Sequence, residues 1–210
     1  MSQTTPTRIA AIVPVATFED AKSRLGRTLD AEERHDLTER LLTQTIQAAL
    51  AVPRLEDVLV VSPDRDVLQR AAALGARTLR QRSRGLNAGL DEGRADVVAG
   101  GADALLVLPI DLAFVSADAI AAVLEPLAAA ERLVALVTDR HETGTNALVL
   151  RPPDVIGFSF GAGSRSAHRA AAEAAGARFV EVGGPLTIDI DTPADLVLVE
   201  SMAPEGIGAG

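Results

Sequence analysis

Two acidic features stand where a strand would hand its side chains over to a cleft. Asp111 follows the apolar run Ala104-Leu-Leu-Val-Leu-Pro109 almost at once, in the segment Leu108-Pro-Ile-Asp-Leu112. Asp189 and Asp191 flank Ile190. In an extended chain residues two apart share a face, so these two carboxylates converge on one spot. Acids gathered at the end of a strand need a cation, and Mg2+, which prefers carboxylate and phosphate oxygens, is the natural one. The plainer alternatives are that Asp111 closes a turn and that Asp191 helps to cap a helix. Ser116 fits the cap of the helix after Asp111 better. Thr192-Pro193-Ala194-Asp195 has the form of a helix start, with a Thr cap, Pro at the first helical position and an acid at the third. Asp195 is then a capping residue, and Asp189 the better ligand. The metal candidates are Asp111, Asp189 and Asp191, with Asp139, after the run 133–138, as an outsider.

Glycines mark the places where a ligand could meet backbone N–H groups. Gly144-Thr145-Asn146 begins one apolar segment, and Phe158-Ser-Phe-Gly161-Ala-Gly163-Ser164 leads into a helix. A helix N-terminus attracts anions, and glycine lets the backbone approach them closely. Thr145, Gly161 and Ser164 together form a candidate pocket for a small acid, although Ser164 alone could be only a cap. His168, one turn further on, is either a surface residue or a substrate contact. Lys22 and Arg24 follow the first apolar segment, where a nucleotide's phosphates would arrive; the alternative is a solvated turn. Gly85-Leu86-Asn87 opens another helix and either caps it or meets a base or ribose, since Asn87 carries both donors and acceptors. The chain contains neither G-x-x-x-x-G-K-[ST] nor G-x-G-x-x-G, which argues against a P-loop NTPase and a dinucleotide oxidoreductase.

These residues have to be positioned by elements that alternate along the chain. Apolar segments at 9–14, 58–62, 76–79, 104–109, 133–138, 146–150, 178–182 and 186–190 read as strands. Amphipathic stretches at 31–51, 64–74, 86–99, 116–130, 164–175 and 192–202 read as helices, the first with Leu37, Leu41, Leu42, Ile46 and Ala49 on one face. Unbroken apolar strands between helices imply a single-domain α/β fold: a mostly parallel central sheet with helices on both faces, spanning 1–203, followed by a flexible tail at 204–210. In such sheets ligands sit beyond the carboxyl ends of the strands.

Composition narrows the chemistry. The net charge is −9 and there are only five Phe, no Tyr and no Trp among 210 residues, which disfavours a nucleic-acid partner. An acidic chain can still hold a polyphosphate through a divalent metal. The absence of Cys excludes thiolate chemistry and disulfides. There is no signal-peptide core and no uncharged apolar stretch approaching roughly 20 residues, so neither a membrane nor a secreted setting is expected and the cytoplasm is the default.

Several short motifs follow one another in a familiar order: Val13-Pro-Val with Ala21-Lys-Ser-Arg-Leu25, Val61-Ser-x-Asp64, Gly85-Leu-Asn87, Leu108-Pro-x-Asp-Leu112, Gly144-Thr-Asn-Ala-Leu148, Phe160-Gly-x-Gly-Ser164 with His168, and Asp189-Ile-Asp-Thr-Pro193. Across roughly residues 8 to 200 the chain resembles the phosphoenolpyruvate or 2-phospho-L-lactate guanylyltransferases of coenzyme F420 biosynthesis. The resemblance implies a fold of the MobA-like, nucleotide-diphospho-sugar transferase type. It implies GTP and a small phosphorylated acid as substrates, with magnesium as cofactor. Asp111 and Asp189 would hold metal, Thr145, Gly161 and Ser164 the acid, and Lys22 and Arg24 would face the GTP phosphates, with Lys22 adding positive charge to the reacting centre. The chain departs from the family pattern at Ala16, where Lys is usual, at Ala113, where Pro is usual, and at Arg165, where an aromatic is often found. Phosphoenolpyruvate is the acid expected, by analogy with bacterial members. A related enzyme acting on a sugar phosphate or a molybdenum cofactor, and a non-catalytic nucleotide-binding module, are the alternatives. A homodimer, and transfer of an unstable product to the next enzyme of the pathway, are further expectations.

Overall fold

The computed structural model describes residues 7–18, 25–26 and 28–202. The predicted phosphate contacts Lys22 and Arg24 and the expected tail at 204–210 lie outside the described residues. Strands β1 (Ile9–Pro14), β2 (Leu55–Ser62), β3 (Arg77–Arg80) and β4 (Ala104–Val107) alternate with helices α1 (Ala31–Leu50), α2 (Arg65–Ala73) and α3 (Leu86–Ala99). Helix α4 (Ala117–Leu124), strands β5 (Leu133–Val137) and β6 (Ala147–Arg151), helix α5 (Ser164–Ala174), strand β7 (Arg178–Glu181) and helix α6 (Pro193–Met202) follow. Local chemistry sets the helix starts. The Asp30 carboxylate accepts from the Glu33 backbone N–H while Glu33 accepts from that of Asp30, which closes a capping box on α1. Asp64 and Ser116 cap α2 and α4 in the same sense, with one side-chain bond each.

The strands form a seven-stranded sheet in the order β3-β2-β1-β4-β6-β5-β7. All run one way except β6, which is antiparallel to both β4 and β5. The α/β class with a mostly parallel sheet is as expected; the reversed strand is what the apolar pattern did not disclose. A run buried on both faces reads alike in either direction. The 138–146 connection, however, is too short for the crossover helix a parallel return needs.

Both faces of the sheet are covered. Ile9, Ala11 and Val13 pack with Leu42 and Ile46 of α1, Val67 of α2 and Ile120 of α4. Ala10 and Ile12 point the other way, toward Leu90 and Val97 of α3 and Ala172 of α5. Helix α3 lies so close to the sheet that a Cβ on Gly93 would stand 2.9 Å from Val61 Cγ2. Helix α6 rests Leu196 and Val199 on a smaller cluster of Leu25, Leu37, Leu41 and Ile190. Two expected elements differ. The helix expected at 116–130 gives way to a 3-10 turn at Glu125–Ala129, where Pro126 has no N–H to continue the α ladder. The strand expected at 186–190 is instead a 3-10 turn, Pro185–Thr187, followed by a single bridge between Leu112 and Asp189.

This order puts a switch point beside β1: β2 and β3 lie to one side, β4 to the other. Ligands of such sheets bind in the crevice at the carboxyl ends there. Because β6 is reversed, its beginning meets that same edge, with Leu148 opposite Val107 and Ala147 opposite Val137. Residues just before β6 therefore belong with residues just after β4.

Candidate active site

The segment after β4 is laced to the segment before α6. The Ile190 N–H donates to the Asp111 carbonyl at 2.9 Å, and the Ala113 N–H to the Ile188 carbonyl at 3.0 Å. This pairing carries Asp111 and Asp189 to one place, although they are far apart in sequence. Asp189 is half-buried. Burial, and after it the charge of Asp111, push its carboxyl above the ordinary range, with Asp191 and Asp195 adding in the same direction. A carboxyl that resists ionisation until a cation arrives is what a divalent metal site presents. Among the described residues no group of three or more His, Asp or Glu side chains is placed to hold an ion by itself. Asp191 is thus not drawn into a three-carboxylate cage. The donor set fits an ion that takes one or two carboxylates and fills its remaining positions with water and substrate phosphate, as Mg2+ does.

Asp195 has a different task. It is almost fully buried, and its Oδ2 accepts from the backbone N–H of Asp191 at 2.9 Å, the N–H of Thr192 at 2.6 Å and the Thr192 hydroxyl at 2.9 Å. Arg140 pairs with its other oxygen. Burial alone would raise this carboxyl, but the donors from 191 and 192, together with Arg140, bring it below the usual range. The first turn of α6 is therefore tied to the β5–β6 turn. Asp139 closes that turn by accepting from the Thr143 N–H at 2.8 Å and its hydroxyl at 3.1 Å.

Across the cleft edge stand Thr145, Ser164 and His168. Ser164 Oγ donates to Thr145 Oγ1 at 3.0 Å, and the same oxygen lies 3.1 Å from His168 Nδ1. His168 Nε2 accepts from the Ser159 N–H at 3.0 Å. Ser164 opens α5, and Gly161 and Gly163 precede it at φ +128° and +73°, angles that a side chain would strain. No side chain caps α5; the Ser164 and Arg165 N–H groups donate instead to the Gly161 and Thr143 carbonyls at 3.1 and 3.3 Å, and the Thr145 and Ser164 hydroxyls stand beside this turn.

The chain matches the family model described as "Guanylyl transferase CofC like" over residues 9–202. The chain belongs to this family. A phosphoenolpyruvate guanylyltransferase of Sphaerobacter thermophilus is 46% identical over 198 residues, covering 93% of this chain and 94% of its own. Another, of Rubrobacter xylanophilus, is 45% identical over 195 residues, covering 92% and 94%. Among solved structures, one described as a nucleotide-diphospho-sugar transferase from Desulfovibrio desulfuricans superposes with a TM-score of 0.77 at 16% identity, covering 96% of this chain and 90% of that one. A glucosyl-3-phosphoglycerate synthase from Mycobacterium tuberculosis, in complex with Mn2+, uridine diphosphate and phosphoglyceric acid, gives 0.63 at 13% identity, over 91% and 73%. At these identities the structures share the fold.

In this CofC-like guanylyltransferase the remaining predicted positions fall in two groups. Gly85, at φ +91°, begins α3 with open space where a Cβ would stand. Asn87 faces the loop before α5: its amide nitrogen donates to the Phe160 carbonyl at 3.1 Å and its oxygen accepts from the Phe160 N–H at 2.8 Å. The carboxamide keeps a second hydrogen and a second lone pair for a base, but it is held by the loop rather than standing alone. Arg165, at the family's aromatic position, turns toward β7 and pairs with Glu181 through Nε at 3.2 Å and Nη2 at 2.9 Å. Sequence reasoning missed Arg140 and the Ser159 and Phe160 backbone. Arg140 carried a usable signal, since it stands directly after the predicted strand 133–138, like Asp139. The backbone groups carried none.

Proposed function

We propose that the chain is a phosphoenolpyruvate guanylyltransferase, moving GMP from GTP to phosphoenolpyruvate with release of pyrophosphate, in coenzyme F420 biosynthesis. The observation that carries this is the lacing of the Asp111 segment to the Asp189 segment after β4, with the Thr145–Ser164 hydroxyl pair just before β6, the strand that pairs with β4. Relatives named for this activity, matched over nearly their whole length, supply the substrates. The reaction forms a bond between a phosphate oxygen of the acid and the α-phosphorus of GTP. The bond from that phosphorus to the β-phosphate's bridging oxygen breaks, and its electron pair leaves with pyrophosphate. The attacking oxygen is already anionic, so no general base is required.

The difficulty is bringing two anions together. Asp111 and Asp189 would hold Mg2+, with Asp191 within its field, and the bound ion would screen the two phosphates from each other and offset charge on the leaving group. Thr145 and Ser164, beside the glycine turn at Gly161, would hold the acid by its carboxylate or phosphate. Lys22 and Arg24 would face the triphosphate. The substrates are soluble metabolites, and we place the enzyme in the cytoplasm; among the described residues no helix is long and apolar enough to cross a membrane. The test is pyrophosphate release with phosphoenolpyruvate, 2-phospho-L-lactate, 3-phosphoglycerate and a sugar phosphate, each against GTP, ATP and CTP, with and without Mg2+. Turnover is expected with GTP and phosphoenolpyruvate in the presence of Mg2+. Release with GTP and a sugar phosphate instead, or none with any acid, overturns the proposal.

A further inference from the structure

His168 is fully buried, so it cannot touch a substrate, yet its ring joins two parts of the acid pocket. The Ser159 N–H lies 3.0 Å from Nε2. A backbone N–H can only donate, so Nε2 accepts and carries no proton. Burial keeps the ring neutral, pushing its pKa down to about 4, and the single ring proton is therefore on Nδ1. That N–H has Thr145 Oγ1 as its partner, 3.1 Å away. The Ser164 hydroxyl donates to the same oxygen at 3.0 Å. Both lone pairs of Thr145 Oγ1 are then filled, and the hydrogen of the Thr145 hydroxyl has to point elsewhere. Thr145 is only half-buried, at the edge of the cleft. Phe160, edge-on to the imidazole at 5.2 Å, holds the ring in place.

We propose that His168 is a positioning residue that fixes the Thr145 hydroxyl as a donor aimed into the cleft, so that the pocket selects an acceptor-only group, a carboxylate or phosphate. Without a proton on Nδ1 the Thr145 hydroxyl could turn inward to the ring and offer the cleft only a lone pair, which repels an anion. This deepens the reading of the cleft as the site of a phosphorylated acid and rests on it.

Two measurements test it. With three histidines in the chain, two-bond 1H–15N correlation spectra of the labelled protein, compared with those of His168→Asn, identify the His168 ring. At pH 7 and without substrate, Nδ1 is expected to be protonated and Nε2 bare; a proton on Nε2 overturns the proposal. In steady-state kinetics, His168→Phe removes both nitrogens, and the KM of phosphoenolpyruvate is expected to rise about tenfold, the worth of one hydrogen bond to a charged group. The KM of GTP and kcat should stay within about threefold. In His168→Asn the amide nitrogen takes the place of Nδ1 and should recover most of the loss. Equal rises for both substrates, or an Asn variant no better than Phe, would leave His168 a mere packing residue. Should the Phe variant not fold, Thr145→Val removes the same donor and provides the comparison. The tautomer is read without substrate, so a wild-type chain that releases no pyrophosphate sinks the functional proposal alone, whereas a proton on Nε2 sinks this one.

Discussion

At the scale of single residues, Asp111 and Asp189 oppose each other before any ligand arrives. Asp189 is raised by burial first and by Asp111 second. A carboxyl raised in the fold binds protons more readily there than in the unfolded chain, so its contribution to stability falls as pH rises through that range. Removing one of the two charges should therefore relieve the metal-free protein. Asp111→Asn is expected to melt no lower than the wild type in chelator-treated buffer, and to lose the upward shift that Mg2+ gives the wild type. Its kcat should drop by about a thousandfold, the upper range for losing one group that stabilises transition-state charge. Thermal melts with and without Mg2+, beside a pyrophosphate assay, check both halves; a variant with normal turnover removes Asp111 from the metal site. The position of Asp111 and Asp189 was legible in the sequence because an acid directly after an apolar run is chemically out of place. The burial of His168 was not, because Ala170, Ala171 and Ala172 around it say nothing of which helix face meets the sheet.

At the scale of elements, the candidate site rests on four starts and ends that share one edge: the end of β4, the beginning of the reversed β6 and the first turns of α5 and α6. The strands and helices themselves were largely legible, and β1 and α3 fall at the expected residues, since apolar period and cap chemistry are local. Strand direction was not, because it depends on a connection length and on which neighbours remain unpaired. The segment 186–190 looked like a strand for a related reason: apolar residues there are buried one at a time, Leu186 and Ile190, by a turn and a bridge rather than by a ladder. Arg140 links the β5–β6 turn to the start of α6, and its partner Asp195 is nearly fully buried. Arg140→Met leaves Asp195 with its backbone donors but without its counter-charge, and should cost about 1–3 kcal/mol of stability. Because the same turn of α6 follows Asp189, the Mg2+ concentration for half-maximal turnover should rise several-fold while the KM of the acid holds. A changed KM for the acid at unchanged Mg2+ dependence would mean that the pair serves the other side of the cleft. Gly161→Ala tests the loop before α5. Space for the methyl is open, but φ is +128°, so about 1–3 kcal/mol of backbone strain is expected, with weaker binding of the acid than of GTP. Equal weakening of both would place the loop's effect on the whole cleft.

At the scale of the whole molecule, the neutral buried imidazole couples the Thr145–Ser159 contacts to global stability. The His168 pKa falls from its ordinary 6.5 to about 4 because the ring is buried, with Thr145, Ser159 and Phe160 rather than a charged group as its neighbours. In the unfolded chain this histidine takes up a proton as pH falls below 6.5, while in the folded chain it does not until about 4. Between those values the unfolded state binds more protons, so the stability contributed by the neutral ring is complete above the upper value and is lost as pH falls toward the lower one. At about 1.4 kcal/mol per pH unit the loss is on the order of 3 kcal/mol. The titration of the many carboxylates, 29 Asp and Glu in all, hides such a slope in any single curve, so a difference is the proper measure. His168→Asn keeps those carboxylates and has no titrating ring at 168. Urea unfolding of both proteins at pH 7 and near pH 4.5 should show the wild type ahead at the higher pH and most of its lead gone at the lower. Parallel curves would mean that the ring takes up its proton as easily in the fold as outside it, and the Nε2 acceptor that holds the Ser159 N–H would then be lost in mild acid.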